Sequence, residues 1–170
     1  MKGTGIIRRL DELGRIVIPK EIRKSLHIKE GTPLEISIQE NEIKLKKYSP
    51  VYELGENAKS CAEILYDTLG VPVYITDLEN LVSCAGTKFT EQKLKQPIKK
   101  HIEKRAICNL QNFNSSIFED ELINHKNILI SPLIIDGDVL GSIIVDYKEC
   151  TQKLLDSIKI ATMFASKLAS

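Results

Sequence analysis

The sequence predicts an α+β protein made of two small domains, and three features carry that expectation. The first is a step in charge. Residues 1–47 hold eleven Lys/Arg against seven Asp/Glu, and residues 48–170 hold thirteen against sixteen, so the net charge of +1 hides a basic head on a mildly acidic body. The second is strict apolar alternation in short runs, the period of half-buried strands. The third is a four-residue apolar recurrence in three stretches of the body, the period of amphipathic helices. A chain of 170 residues with 42% hydrophobic and 28% charged residues has the composition of an ordinary globular protein.

In the head, Thr4 to Leu10 reads as a strand, and Asp11-Glu12-Leu13-Gly14 as a turn in which glycine supplies a positive φ. Arg15 to Ile18 is almost wholly apolar, which predicts a strand buried on both faces. Pro19 fits the first helical position, and Glu21 the first turn, where the helix dipole favours a carboxylate. Ile22 and Leu26 then share a face, which directs Arg23 and Lys24 elsewhere, and Gly31 ends the turn that follows. Leu34 to Gln39 and Ile43 to Lys46 alternate around the Glu40-Asn41 turn, a hairpin pattern. Such a short run of strands buries too little apolar surface to stand alone, so dimerisation is a physical requirement for it.

The segment after Pro50 repeats Leu54, Ala58, Cys61, Ala62, Leu65 and Leu69 as a helix that Gly70 stops. Val71 to Thr76 and Leu81 to Ala85 read as strands about a tight turn. Leu94, Ile98 and Ile102 predict a helix opened by Pro97. Ile128 to Ile135 and Val139 to Asp146 flank Asp136-Gly137-Asp138, a strong hairpin signal. Leu154, Leu155, Ile158, Ala161, Met163, Phe164 and Leu168 form the apolar side of a final helix. Cys108 to Lys126 reads as loop with one short strand.

Several classes of chemistry find no support. There is no Gly-rich phosphate loop, no GxSxG and no HExxH, so no enzyme is expected. Cys61, Cys84, Cys108 and Cys150 form no CxxC pair and His27, His101 and His125 stand apart, so neither a metal nor another cofactor is expected. No run of about 18 apolar residues exists, and the N-terminus leads into an arginine-bearing strand pattern. Neither a membrane span nor a signal peptide is expected, and a cytoplasmic location is the expectation.

What the sequence does carry is a cationic cluster. Arg8, Arg9, Arg15, Lys20, Arg23 and Lys24 fall in a short βαβ-like segment, the electrostatic footprint of a nucleic-acid binder. The runs Thr4-Gly5-Ile6-Ile7-Arg8-Arg9, Asp11 to Pro19, Glu21 to Lys24 and Lys46-Lys47-Tyr48 resemble the AbrB family of bacterial transition-state regulators, from about residue 3 to 50. The resemblance implies a swapped-hairpin, dimeric DNA-binding head over residues 1–47 and DNA contacts from Arg8, Arg15, Arg23 and Lys24. Arg9 and Lys2 add flanking charge. Lys24 stands where relatives often have arginine, which implies a point-charge contact rather than a bidentate one.

After a linker at residues 48–52, residues 53–170 resemble a GAF-type sensory domain, an antiparallel sheet flanked by helices. The Pro132-Leu133 to Gly141 spacing is part of that resemblance. A pocket for a small-molecule effector is expected there, lined by Val73, Ile75, Ser83, Cys84, Ile130, Ile134 and Ser142, each of which alone also reads as core. The helical faces bearing Leu54, Ala58, Leu65, Leu69, Ile158, Ala161, Phe164 and Leu168 are expected to join dimers into a homotetramer. The expected function is a DNA-binding regulator of a bacterial developmental programme such as sporulation, acting at the nucleoid. The competing class with the same head is the antitoxin of a toxin–antitoxin pair. Antitoxins of that kind usually carry a short disordered tail, where this chain continues into a long apolar-patterned domain.

Overall fold

The computed structural model describes residues 5–26, 28, 30, 32, 34–49, 51, 54–89 and 92–168. The expectations placed on Lys2, Thr4 and Gly31 lie outside them. The chain divides into two compact units, Met1–Tyr48 and Ser49–Ser170.

In the first unit, α1 (Lys20–Ser25) is one short helix with Pro19 at its N-cap, one position earlier than the sequence suggests. Strands β1 (Leu34–Gln39) and β2 (Glu42–Lys47) pair antiparallel from Leu34↔Lys47 to Gln39↔Glu42, with Glu40 at φ 55 in the turn. Ile36 faces Leu45 and Ile38 faces Ile43, so the apolar side chains pair across the hairpin as alternation requires. All four nevertheless remain exposed.

The strands expected at Thr4–Leu10 and Arg15–Ile18 do not form in the single chain: residues 5–10 and 15–18 run outside any ladder. Ile7 is 89% exposed and Val17 73%, against the expectation that Arg15 to Ile18 is buried on both faces. The physical reason is that a strand needs a neighbour for its N–H and C=O groups, and this unit's own hairpin does not supply one.

The second unit runs α2 (Glu56–Leu69), β3 (Val73–Asp77), β4 (Leu81–Ala85), α3 (Gln96–Ile102), β5 (Cys108–Leu110), β6 (Ile128–Ile135), β7 (Asp138–Asp146) and α4 (Gln152–Leu168). Its five strands lie in the order β4-β3-β7-β6-β5, antiparallel throughout. Gly70 closes α2 at φ 66, as its place after the last apolar repeat predicts. Asp136 and Gly137, at φ 50 and 86, make the two-residue turn between β6 and β7. Gly141 is needed for a different reason: a Cβ there would meet the Thr76 carbonyl oxygen at 2.2 Å.

The sheet has two covered faces, which alternate along each strand. On one, Val73, Ile75, Leu129, Leu133, Ile143 and Val145 pack with Ala58, Ala62 and Leu65 of α2 and Leu154, Ile158 and Ala165 of α4. On the other, Tyr74, Ile128, Ile130 and Ile144 pack with Ile98 and Ile102 of α3 and with Ile117 and Phe118. Most of the helical residues expected between subunits are therefore spent inside one chain. Leu54, Ala58, Leu65 and Ile158 are buried, whereas Ile64, Ile160, Met163, Phe164 and Leu168 stand at the surface. The reason is geometric: the stripe at four-residue spacing is the one the sheet needs, and only residues beside it stay free.

Candidate nucleic-acid interface and the inner face of the body

The head presents its charge on short, locally fixed backbone. Gly14 takes φ 74, and its N–H donates to the Asp11 carbonyl at 3.0 Å. Asp11 Oδ1 accepts from the N–H groups of Leu13 at 3.0 Å and Arg15 at 2.8 Å, while Oδ2 accepts from Arg15 Nε at 2.7 Å. These bonds, the Arg15 amide first and its guanidinium second, hold the Asp11 carboxyl below its ordinary range. Arg15 is thus anchored at its base with its side chain 71% exposed. An exposed pair of this kind is weak, so the guanidinium can exchange its carboxylate for a phosphate.

Arg23 and Lys24 occupy the last turn of α1, where cations suit the helix C-terminus, and α1 has no buried residue. The Arg23 N–H donates to the Pro19 carbonyl at 2.9 Å and its carbonyl accepts from Ile28 at 2.8 Å, which fixes that turn. Arg8, Arg9, Arg15, Arg23 and Lys24 are all exposed, and none is spent on a core.

The body is organised differently. The seven residues expected to line one pocket are divided between the two faces of the sheet. Val73 and Ile75 belong to the face under α2 and α4, and Ser83 pairs with Ile75. Cys84 and Ile130 belong to the opposite face, and Ser142 Oγ there lies 2.8 Å from Thr76 Oγ1. Ile134 follows an irregularity in the β6 register and is 38% exposed. Residues adjacent in a strand point to opposite faces, so Ser83 and Cys84 do not line one cavity. The Cys84 thiol faces the carbonyls of Thr87 and Phe89 at 3.8 and 3.7 Å. A cleft of about 450 Å³ opens elsewhere, between Thr68–Pro72, Asp146–Glu149 and Lys153, and contains none of the seven.

The face under α3 holds a polar cluster that the sequence reading missed. His125 Nε2 lies 2.6 Å from Glu121 Oε1, and its Nδ1 lies 2.8 Å from Asp146 Oδ2. Glu121 Oε2 also accepts from the N–H groups of Ile117 at 2.8 Å and Phe118 at 3.1 Å. The side chains of His125 and Glu121 are 2% and 0% exposed. Burial opposes charge on the ring, but hydrogen bonds to Asp146 and Glu121, and the charges of both carboxylates, outweigh it and push His125 up to about 9. Tyr74, edge-on to both His125 and Phe118, is pushed up by burial and by Glu121 and Asp146. The only signal in the sequence is the Glu121–His125 spacing of four, and it sits in a segment with no readable period.

A small basic head joined to a sheet covered on both faces by helices and loop defines a class: transcription regulators with an AbrB-like head and a GAF-like body. Residues 53–170 match the family described as stage V sporulation protein T C-terminal, transcription factor. Residues 7–53 match the family described as antidote-toxin recognition MazE, bacterial antitoxin. Stage V sporulation protein T of Bacillus subtilis (strain 168) is 38% identical over 157 residues, covering 89% of this chain and 88% of that protein. The transition state regulatory protein AbrB of the same organism is 56% identical over 50 residues, 29% of this chain and 52% of that protein. Among solved structures, the GAF domain of an Acinetobacter phosphoenolpyruvate-protein phosphotransferase superposes with a TM-score of 0.54 at 15% identity. It covers 71% of this chain and 87% of that one, a likeness of fold alone.

The chain belongs to the stage V sporulation protein T family. It is a DNA-binding transcription regulator with an AbrB-like head and a GAF-like body.

Proposed function

We propose that two heads interleave residues 5–18 with the β1–β2 hairpins of both copies, and that the resulting dimer binds double-stranded DNA through Arg8, Arg9, Arg15, Arg23 and Lys24. In this reading residues 1–47 are the reading head, 48–52 the linker, and 53–170 the sensory and oligomerisation domain. The observation that carries it is the state of the head in one chain. Ile7, Leu10, Ile16, Val17, Ile36, Ile38 and Ile43 are exposed beside five exposed cations, an apolar surface too large for so small a unit to leave in water. Pairing two copies buries the first set and doubles the second.

The body joins two such dimers into a tetramer through the exposed part of α4, Ile160, Met163, Phe164 and Leu168, with Ile64 of α2 beside it. A small molecule bound by the body then acts by favouring one arrangement of these helices, and with it one spacing of the heads. The regulator works in the cytoplasm, at the nucleoid, in a developmental programme of the sporulation type. An antitoxin role is supported by the head alone, residues 7–53, and leaves the whole body without a task.

Fluorescence anisotropy on mixed-sequence duplex DNA across a salt series tests the reading. Eight to ten cationic contacts per dimer, some unused, give a slope of log affinity against log salt of roughly −4 to −7. A slope near zero removes the DNA interface. Light scattering of the full chain with Phe164→Ser is expected to show dimers in place of tetramers.

A further inference from the structure

Glu121 is buried alone. Glu119, Asp120, Leu122, Ile123 and Asn124 around it are all exposed, Leu122 at 99%, while the Glu121 carboxylate is wholly covered. A loop that needed only packing at this point would be held as well by an apolar side chain, because burying a charge costs desolvation that must be recovered from partners. The partners here are complete. One oxygen takes two consecutive main-chain N–H groups and the other takes the imidazole of His125, whose far side is held by Asp146. That is the way a protein binds a free carboxylate: paired amides on one oxygen and a charge-assisted donor on the other. The Tyr74 ring lies 5.6 Å from that of Phe118 and 5.9 Å from the His125 imidazole, with Phe89 against both Tyr74 and Phe118, so the donors lie beside a packed aromatic cluster whose half-buried member is Phe89.

We propose that the amides of Ile117 and Phe118 together with His125 form a carboxylate-binding site on the α3 side of the sheet, that Glu121 occupies it in the free protein, and that its ligand is a small carboxylic acid with an apolar body. The ligand's carboxylate takes the place of Glu121, and its apolar part lies against Tyr74, Phe89 and Phe118. Glu121 is the only buried residue from 119 to 124, so its release gives up the carboxylate's own contacts and almost no apolar burial, and the released charge goes to water. Release also loosens residues 120–124, with Glu119 still held through its N–H to the Lys93 carbonyl at 2.8 Å, and it leaves His125 bound to β7 through Asp146. This assignment deepens the effector role proposed for the body and rests on it for its biological meaning, though not for its chemistry.

The test uses the full chain with acetate, propionate and isovalerate, and sodium chloride at matched ionic strength as control. Glu121→Ala empties the site; the acids are expected to raise its melting temperature saturably, isovalerate at the lowest concentration, and chloride is not. Adding His125→Gln is expected to abolish that response. Wild type is expected to bind the same acids about tenfold or more weakly, because its own side chain competes, with the amide resonances of Ile117 and Phe118 shifting on titration. No saturable response in Glu121→Ala, or an equal response to chloride, overturns the site. Should that variant not fold, Glu121→Gln and the wild-type titration decide. Unmoved amides in wild type, at about a hundredfold the concentration that saturates the variant, make Glu121 a fixed staple and overturn the proposal. Binding that leaves DNA affinity unchanged keeps the site and removes the effector role.

Discussion

The head and the body solve opposite problems. The body buries two apolar clusters of its own, one on each face of its sheet, and places a charged cluster inside the second. The head buries nothing in α1 and leaves the apolar pairs of its hairpin in water. Small size explains part of this, since a unit of fewer than 50 residues has too much surface for its volume. What the contrast teaches is where the charge sits: the head's cations lie on its surface beside uncovered apolar residues, whereas the body's charged cluster is internal and partnered within one chain.

The largest test of that contrast is to make one apolar residue of the head intolerable at an interface. Val17→Asp is expected to lower DNA affinity more than about 100-fold, because it separates the two heads and removes the gain from joint engagement. The body's thermal transition is expected to stay in place, since its two core clusters are built from its own residues. Gel shift and calorimetry on one sample check both halves, and a shared loss of both breaks the comparison.

Next in size is the body's buried cluster. His125 titrates at about 9 in the folded protein and about 6.5 when unfolded, so folding favours the protonated ring. Its stabilisation is complete below about pH 6.5 and disappears as pH rises through about 9. The ring is 2% exposed, so little is lost to solvent screening, and His125→Gln is expected to cost on the order of 3 kcal/mol at pH 6 and far less at pH 10. Denaturant midpoints at the two pH values read this directly. The head's transition is expected to show no such dependence.

Much of the body was legible because its signals are local. Asp136-Gly137 marks a turn that its φ angles of 50 and 86 require, and Gly70 stops α2 where the apolar repeat ends. The site was not legible, for reasons that are also physical. Ser83 and Cys84 look equivalent in sequence, yet strand parity sends them to different faces. His125 and Asp146 meet across 21 residues of chain, and no period announces a contact of that kind. In the head the reverse holds: the cations were plain in the sequence, while the alternation at residues 5–10 and 15–18 said nothing of the neighbouring strand that a ladder there requires and that the single chain does not provide.

Single cations of the head come next. Arg15→Ala and Arg23→Ala are each expected to weaken DNA binding by about 1–3 kcal/mol and to lower the steepness of the salt dependence. Neither touches a core, so circular dichroism is expected to be unchanged. Wild-type affinity in both would move the interface away from these residues and leave the head's charge as ordinary solvated surface.

The smallest effect separates Arg15's two roles, as a base fixed in a turn and as a charge offered to DNA. Asp11→Asn keeps a side-chain oxygen to accept from the Leu13 and Arg15 amides but removes the charge that pairs with the Arg15 guanidinium. The turn is expected to persist, and the arginine to be freed. DNA affinity should then rise slightly at low salt, with the gain vanishing at high salt as screening removes the competition that Asp11 exerts. The same reasoning gives wild type a pH signature. Asp11 is held below its ordinary range, so its grip on Arg15 is fully present above the ordinary carboxylate range and is lost only as pH falls through the lowered value. Anisotropy titrations of wild type and Asp11→Asn at two salt concentrations measure the difference. A loss of affinity in Asp11→Asn would mean that the carboxylate's charge is needed to aim Arg15, and that the pair, rather than the arginine alone, is the element presented to DNA.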